Sequence, residues 1–165
     1  MIPPKIVRFL EERANIGFAG TRDAGLVPRG HRVCGWHVAA DGRVLTAFVP
    51  AASIEPMVAT LLDNGRIAIT LEEVGTHETY QIKGRYLGHR PVRPSEVDIA
   101  DRARERFVKG VRAFVEDHLL AAMQASIPAP ALAVEIAVDE VFLQTPGPGA
   151  GTRLAPVPEA EAPAR

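Results

Sequence analysis

Residues 75–86 read GTHETYQIKGRY. On an extended chain His77, Thr79, Gln81, Lys83 and Arg85 share one face, and Thr76, Glu78, Tyr80, Ile82 and Gly84 share the other. An imidazole, a hydroxyl, an amide and two cations in one row suit either the solvated side of an antiparallel sheet or the wall of a polar ligand site. Two further positions carry chemistry. Arg32, in RVCGWH, places a cation in the middle of an extended segment. Ser53 opens the helical stretch IEPMVATLLDNG, where the first amides point outward and suit a phosphate or an ordinary N-cap. Other reactive groups offer less. Cys34 has no neighbour that would activate its thiol and reads as a buried structural cysteine. Glu72-Glu73, two carboxylates before a turn, read as solvated. His31, His37, His77, His89 and His118 are not at metal-ligand spacing, and the chain has no phosphate-binding glycine loop or dinucleotide fingerprint.

Some chain must hold these groups in place. The 165 residues suffice for one domain, and 47% hydrophobic against 24% charged residues is a globular composition. A formal net charge of −1 argues against broad electrostatic attraction to nucleic acid. The single cysteine excludes an internal disulfide, and no basic segment followed by a long apolar run opens the sequence. No stretch has the roughly 18 apolar residues that a membrane span needs. A soluble cytoplasmic protein is the expectation.

Pro3 and Pro4 open a first helix, and NIGFAGT (15–21) reads as a short strand. Leu26–Val38 is extended and interrupted by Pro28, Gly30 and Gly35. Asp41-Gly42 marks a hairpin turn into a strand over 43–49. The helix after Ser53 should turn Ile54, Met57, Val58, Leu61 and Leu62 inward and end at Asn64-Gly65. Residues 66–74 and the polar stretch extended to His89 form a second hairpin around Gly75-Thr76. Ser95 and Asp98 resemble a capping box for one long amphipathic helix over roughly 96–123. In it Ile99, Ala103, Phe107, Val111, Phe114, Val115 and Leu119 face inward, and Arg102, Arg104, Arg106, Lys109 and Arg112 face water. ALAVEIAV (131–138) alternates as a strand and continues through VFLQT. Residues 1–145 form the single domain, and the Pro/Gly/Ala-rich segment 146–165 reads as a partly mobile tail. Six or seven strands in hairpin order with helices inserted between them define an α+β protein: an antiparallel split β-barrel.

This order of elements, with Arg32 on one strand, Thr46 on the next, Ser53 at a helix start and a polar hairpin strand THETYQIKGRYLG, resembles the FMN-binding split-barrel family related to pyridoxamine 5′-phosphate oxidase. The resemblance covers roughly residues 4–90. It implies a cofactor-binding set of Arg32, with Val33 beside it, His37, Thr46, Ser53, Thr79, Gln81 and Lys83. Arg32 matches the phosphate-holding arginine. His37 stands where the family has a lysine near the flavin ring, and Ile54-Glu55 replace its basic pair after the serine. The family glutamine falls near Thr79, with Gln81 and Lys83 as neighbours. The oxidase's substrate-clamping arginine and histidine have no counterpart, although Arg153-Leu154-Ala155-Pro156 resembles its ending.

The resemblance further implies a homodimer with the cofactor at its twofold interface, where Tyr80, Ile82 and the Trp36 region would bury against a second copy. An FMN-dependent oxidoreductase acting on a small substrate is the leading expectation. A non-enzymatic module carrying flavin, deazaflavin or haem, with His37 or His77 as haem ligand, is the alternative. A barrel that has lost its cofactor is a third.

Overall fold

The computed structural model describes residues 1–155. The last ten residues, expected to be mobile, lie outside the described residues. The elements in chain order are α1 (Pro4–Glu12), β1 (Asn15–Arg22), β2 (Pro28–Val33), β3 (Gly35–Val38), β4 (Val44–Val49), α2 (Ile54–Asn64), β5 (Arg66–Glu73), β6 (Thr79–Pro91), α3 (Pro94–Val111), α4 (Asp117–Ser126), β7 (Leu132–Leu143) and β8 (Arg153–Ala155).

Neighbouring strands pair in the order β2-β1-β5-β6-β7-β4-β3, and β8 adds to β7. Every pairing is antiparallel. β2 and β3, the two ends of this path, are joined through Cys34 alone, so the sheet curls round until its two ends meet at that residue. The result is the expected α+β split barrel.

Period-two alternation builds its interior. Ala19, Val33, Trp36, Leu45, Ile69, Leu71, Tyr80, Ile82 and Ile136 point inward and form one core with Ile6, Leu10, Met57 and Leu61 of the two flanking helices. Tyr80, Ile82 and Trp36 are 4%, 1% and 6% exposed. They fill the barrel of one chain and so cannot be the surface that meets a second copy.

The Asp41-Gly42 turn forms as expected. Gly42 has φ +68°, its amide donates to Ala39, and the Asp41 carboxylate accepts from the Arg43 amide. Gly65, at φ +66°, closes α2 in the left-handed conformation that side chains resist.

Five expectations need correction. The long helix over 96–123 is two helices, α3 and α4, separated at 112–116. Its phase is lost there, so Phe114 and Leu119 are 68% and 50% exposed, not inward. Leu62 of α2 is likewise exposed. The cap of α3 is not Ser95 with Asp98: Pro94 takes the first helical position, and the Glu96 carboxylate accepts from the Arg93 amide at 2.8 Å. His77 lies in the turn between β5 and β6 at φ +59°, so the polar row of β6 begins at Thr79. Arg153–Ala155, in the segment expected as a tail, forms β8.

Candidate functional site

Strand pairing brings part of the expected set together on the outside of the barrel. Arg32 pairs with Phe18, Phe18 with Thr70, Thr70 with Gln81 and Gln81 with Phe142. One rung along, Gly30 pairs with Gly20, Gly20 with Ala68, Ala68 with Lys83 and Lys83 with Glu140. Arg32, Gln81 and Lys83 therefore share one face across five strands.

The face is smooth where it matters. A Cβ built on Gly30 would meet nothing within 4 Å, and one on Gly20 would meet only the Ala68 carbonyl oxygen at 3.9 Å. These two glycines and Ala68 form a floor of main chain and one methyl. Around part of it lies a concavity of about 460 Å³ lined by Gly20, Arg22, Arg66, Ala68, Lys83 and Glu140 among others. That volume is within the ~300–1,000 Å³ typical of small-molecule sites. Phe18 stands beside the floor with half of its surface open.

Three cations edge this concavity. Arg22, Arg66 and Lys83 enter no ion pair among the described residues, whereas Asp139 is bound by Arg85 and Glu140 by Arg153. Lys83 also stands 4.5 Å from the centre of the Phe142 ring, a cation–π contact that holds its ammonium over the sheet. Gln81 donates to the Thr70 hydroxyl at 3.1 Å, which fixes its amide and leaves its carbonyl free to accept. An open floor, an aromatic edge and unpaired cations fit a flat, anionic ligand. Among the described residues no group of three or more His, Cys, Asp or Glu is placed to hold a metal ion.

The remaining members of the expected set are dispersed. Thr79 is on the same side of β6 but buried, its hydroxyl donating to the His77 carbonyl. Val33 points into the core and pairs with Gly17. His37 and Thr46 pair with each other on the outer side of β3 and β4. Ser53 is buried at the start of α2 and makes no side-chain cap hydrogen bond. Among the described residues no hydrogen bond joins Arg32, Thr46 and Ser53.

α3 explains much of this dispersal. It lies across the outside of β3, where Gly35 lacks a side chain because Ala100 leaves no room: a Cβ there would be 2.8 Å from the Ala100 Cα. Further along the helix Phe107 covers Arg32. The guanidinium sits between Phe18 and Phe107, 5.5 and 5.7 Å from the two ring centres, and its Nε finds no acceptor among the described residues. Burial lowers its pKa. Burial also pushes the neighbouring Cys34 thiol up to about 11, against the opposing pull of Arg32, so this cysteine is the inert kind expected. His77 is exposed and bound to the Glu72 carboxylate at 2.6 Å, so that carboxylate orients the imidazole at the turn.

Sequence reasoning missed Phe18, Gly20, Gly30, Arg22, Arg66 and Ala68. The signal was there in the two glycines at outward positions of adjacent strands, where bulkier side chains normally stabilise the pairing.

The curled antiparallel sheet with inserted helices defines a split barrel, and solved structures carry the same fold. No family model and no curated protein matches the sequence. Group A Streptococcus HupZ is similar over 92% of this chain and 100% of its own, with TM-score 0.55 and 16% identity. A Lactobacillus delbrueckii protein named for pyridoxamine 5′-phosphate oxidase is similar over 86% of this chain and 93% of its own, with TM-score 0.51 and 13% identity. An F420 reductase is similar over 85% and 98%, with TM-score 0.50 and 13% identity. The resemblance read from the sequence therefore holds at the level of the fold.

Proposed function

We propose that this chain is a flavin- or deazaflavin-binding split barrel that works as a homodimer, an oxidoreductase on a small substrate. The observation that carries the reading is the open floor of Gly20, Gly30 and Ala68 between Phe18 and Lys83. A planar ring system needs a surface without side chains, and few strands offer one. When bound, the flavin would supply hydride or electron transfer. The chain's own groups would do the rest. Lys83 would place a positive charge beside the ring system and favour its reduced, anionic form. Gln81 would present a hydrogen-bonding edge, and Arg22 and Arg66 would hold the phosphate end. Arg32, wedged between two rings, would stiffen the flank. The F420 reductase and the protein named for pyridoxamine 5′-phosphate oxidase, which share the fold, support this chemistry.

The second copy would close the site. Phe18, Leu26 and Val27, 49%, 67% and 53% exposed, all belong to the β1–β2 hairpin and offer an apolar margin beside the floor. A twofold interface reuses such a margin on both chains.

The test is titration with FMN, riboflavin and a deazaflavin, followed by absorbance, on the native chain and on Gly20→Val. Valine suits a strand and its Cβ would meet nothing closer than 3.9 Å, so the variant should fold, which circular dichroism checks. Binding by the native protein and its loss in the variant is the expected result. Equal binding by both would remove the floor from the site. No binding of any of the three would end the flavin reading. Oxidation of a reduced nicotinamide by the loaded protein separates an enzyme from a carrier.

A further inference from the structure

A second cleft lies apart from this floor, at the other end of the strand order. It has a volume of about 250 Å³ and is bounded by the end of α1 (Leu10, Glu11), by Trp36 and His37 of β3, and by Ile99, Arg102, Ala103 and Arg106 of α3. The sequence pattern assigns Arg102 and Arg106 to the solvated side of a helix. The structure places both beside a half-open cleft, Arg102 exposed and Arg106 half-buried.

Their arrangement is costly without a ligand. Arg102 and Arg106 are one helical turn apart, so two like charges face the same cleft, a spacing that destabilises a helix. The Nε of Arg106 is buried and finds no acceptor among the described residues. Burial, and after it the charge of Arg102, lowers the Arg106 pKa. Neither arginine forms an ion pair among the described residues, although Arg104 on the same helix is bound by Asp101. A buried guanidinium donor left unmatched normally marks a missing partner.

The other walls leave little choice about that partner. The Trp36 indole donates to the Leu10 carbonyl at 3.0 Å, so the indole N–H and that carbonyl are engaged with each other. The free polar groups are two guanidiniums, the exposed imidazole of His37 and one exposed acid, Glu11. Two arginines and a histidine exceed what one carboxylate needs. They match a tetrahedral oxyanion, which can accept a forked pair of hydrogen bonds from each guanidinium.

We infer that the cleft between α1, β3 and α3 is an oxyanion site that takes the phosphoryl group of a small molecule, held by Arg102, Arg106 and His37. It is built from residues separate from the floor and does not depend on the flavin reading. The phosphoryl group can come from a free phosphate compound or from the phosphate arm of a flavin nucleotide; in the second case this cleft, and not Arg22 and Arg66, holds that arm.

Trp36 lines the cleft and is the single tryptophan of the chain, so its fluorescence reports directly on occupancy. The experiment is a titration of the full chain with inorganic phosphate at fixed ionic strength, with chloride as the control. A saturable change with phosphate alone is expected. Arg106→Gln and Arg102→Gln should each weaken it about tenfold or more, the worth of one charge-assisted hydrogen-bond set. Glu11→Gln should tighten it, because it removes the one acid among the described residues that line the cleft. Arg102 is exposed, so its variant remains informative if Arg106→Gln does not fold.

Competition by FMN but not by riboflavin would identify the flavin's phosphate as the source. Indifference to both flavins would identify a separate phosphate compound. A change that does not saturate, one that chloride reproduces, or one that survives in both arginine variants would overturn the site. Because the titration uses phosphate alone, its failure leaves the flavin reading standing, and the failure of that reading leaves this site standing.

Discussion

Removing one charge at the start of α3 should cost the protein a measurable and pH-dependent part of its stability. Glu96 accepts from both terminal nitrogens of Arg90, at 2.7 and 2.6 Å, and from the Arg93 amide at 2.8 Å. Its side chain is 10% exposed and that of Arg90 is 26%, so solvent screens the pair weakly. The Arg90 hydrogen bonds first, and then the Arg93 amide, hold the carboxyl down to about 2 from an ordinary 4.5, against the opposing effect of burial. A depressed acid stabilises the fold above its unfolded pKa and loses that contribution as pH falls toward the folded value. The full contribution at pH 7 is then on the order of 3 kcal/mol, and by pH 3 less than half of it remains. In Glu96→Gln the amide oxygen can still cap the helix, but the charge pairing is gone, and among the described residues Arg90 keeps Glu135, at 3.3 Å, as its one charged partner. Urea denaturation of both proteins should show a gap of roughly 2–3 kcal/mol at pH 7 that shrinks by roughly 2 kcal/mol at pH 3. A gap that is absent at pH 7, or equal at the two pH values, would refute the reasoning. The consequence reaches function, since α3 carries Arg102 and Arg106 and covers Arg32.

Three further outcomes are expected. Gly84→Ala should destabilise by roughly 3 kcal/mol or more, because a Cβ there would be 2.2 Å from the Ala137 carbonyl oxygen at a bulge of β6; thermal denaturation measures it, and a near-native midpoint would contradict the close approach. Cys34 should resist thiol reagents in the native state, since a pKa of about 11 leaves about one thiolate in a thousand at pH 8, and it should react fast once unfolded; equal rates in the two states would show that the thiol is open. Phe18→Glu should convert the dimer to a monomer in sedimentation velocity, and a native protein that is monomeric at micromolar concentration would remove the dimer itself.

The fold was largely legible because its signals are local. Asp41-Gly42 and Asn64-Gly65 announce positive φ, and strict alternation through IAITL and AVEIAV announces strands with one buried side. Errors fell where tertiary context decides. Phe114 and Leu119 keep helical spacing across a break whose one local signal is Gly110, in the last turn of α3. His77 keeps strand spacing although a turn holds it at positive φ. Arg102 is exposed as its spacing suggests, but Arg106 reads as solvated until α1 and β3 close the other sides of its cleft. The polar row of β6 was legible, yet the floor beside it was not. Gly20, Gly30 and Ala68 come from three strands and meet only through register, which a one-dimensional pattern does not display.

The central claim is that a flavin-type cofactor lies on that floor in a homodimer. Sedimentation velocity of the native protein mixed with FMN or a deazaflavin, recorded at the cofactor's own absorption band and at 280 nm, tests it most directly. The account predicts one boundary at the dimer's sedimentation coefficient in both channels, with one cofactor per chain, and loss of the visible boundary in Gly20→Val while the protein boundary persists. Cofactor that stays unsedimented beside intact native protein would contradict it.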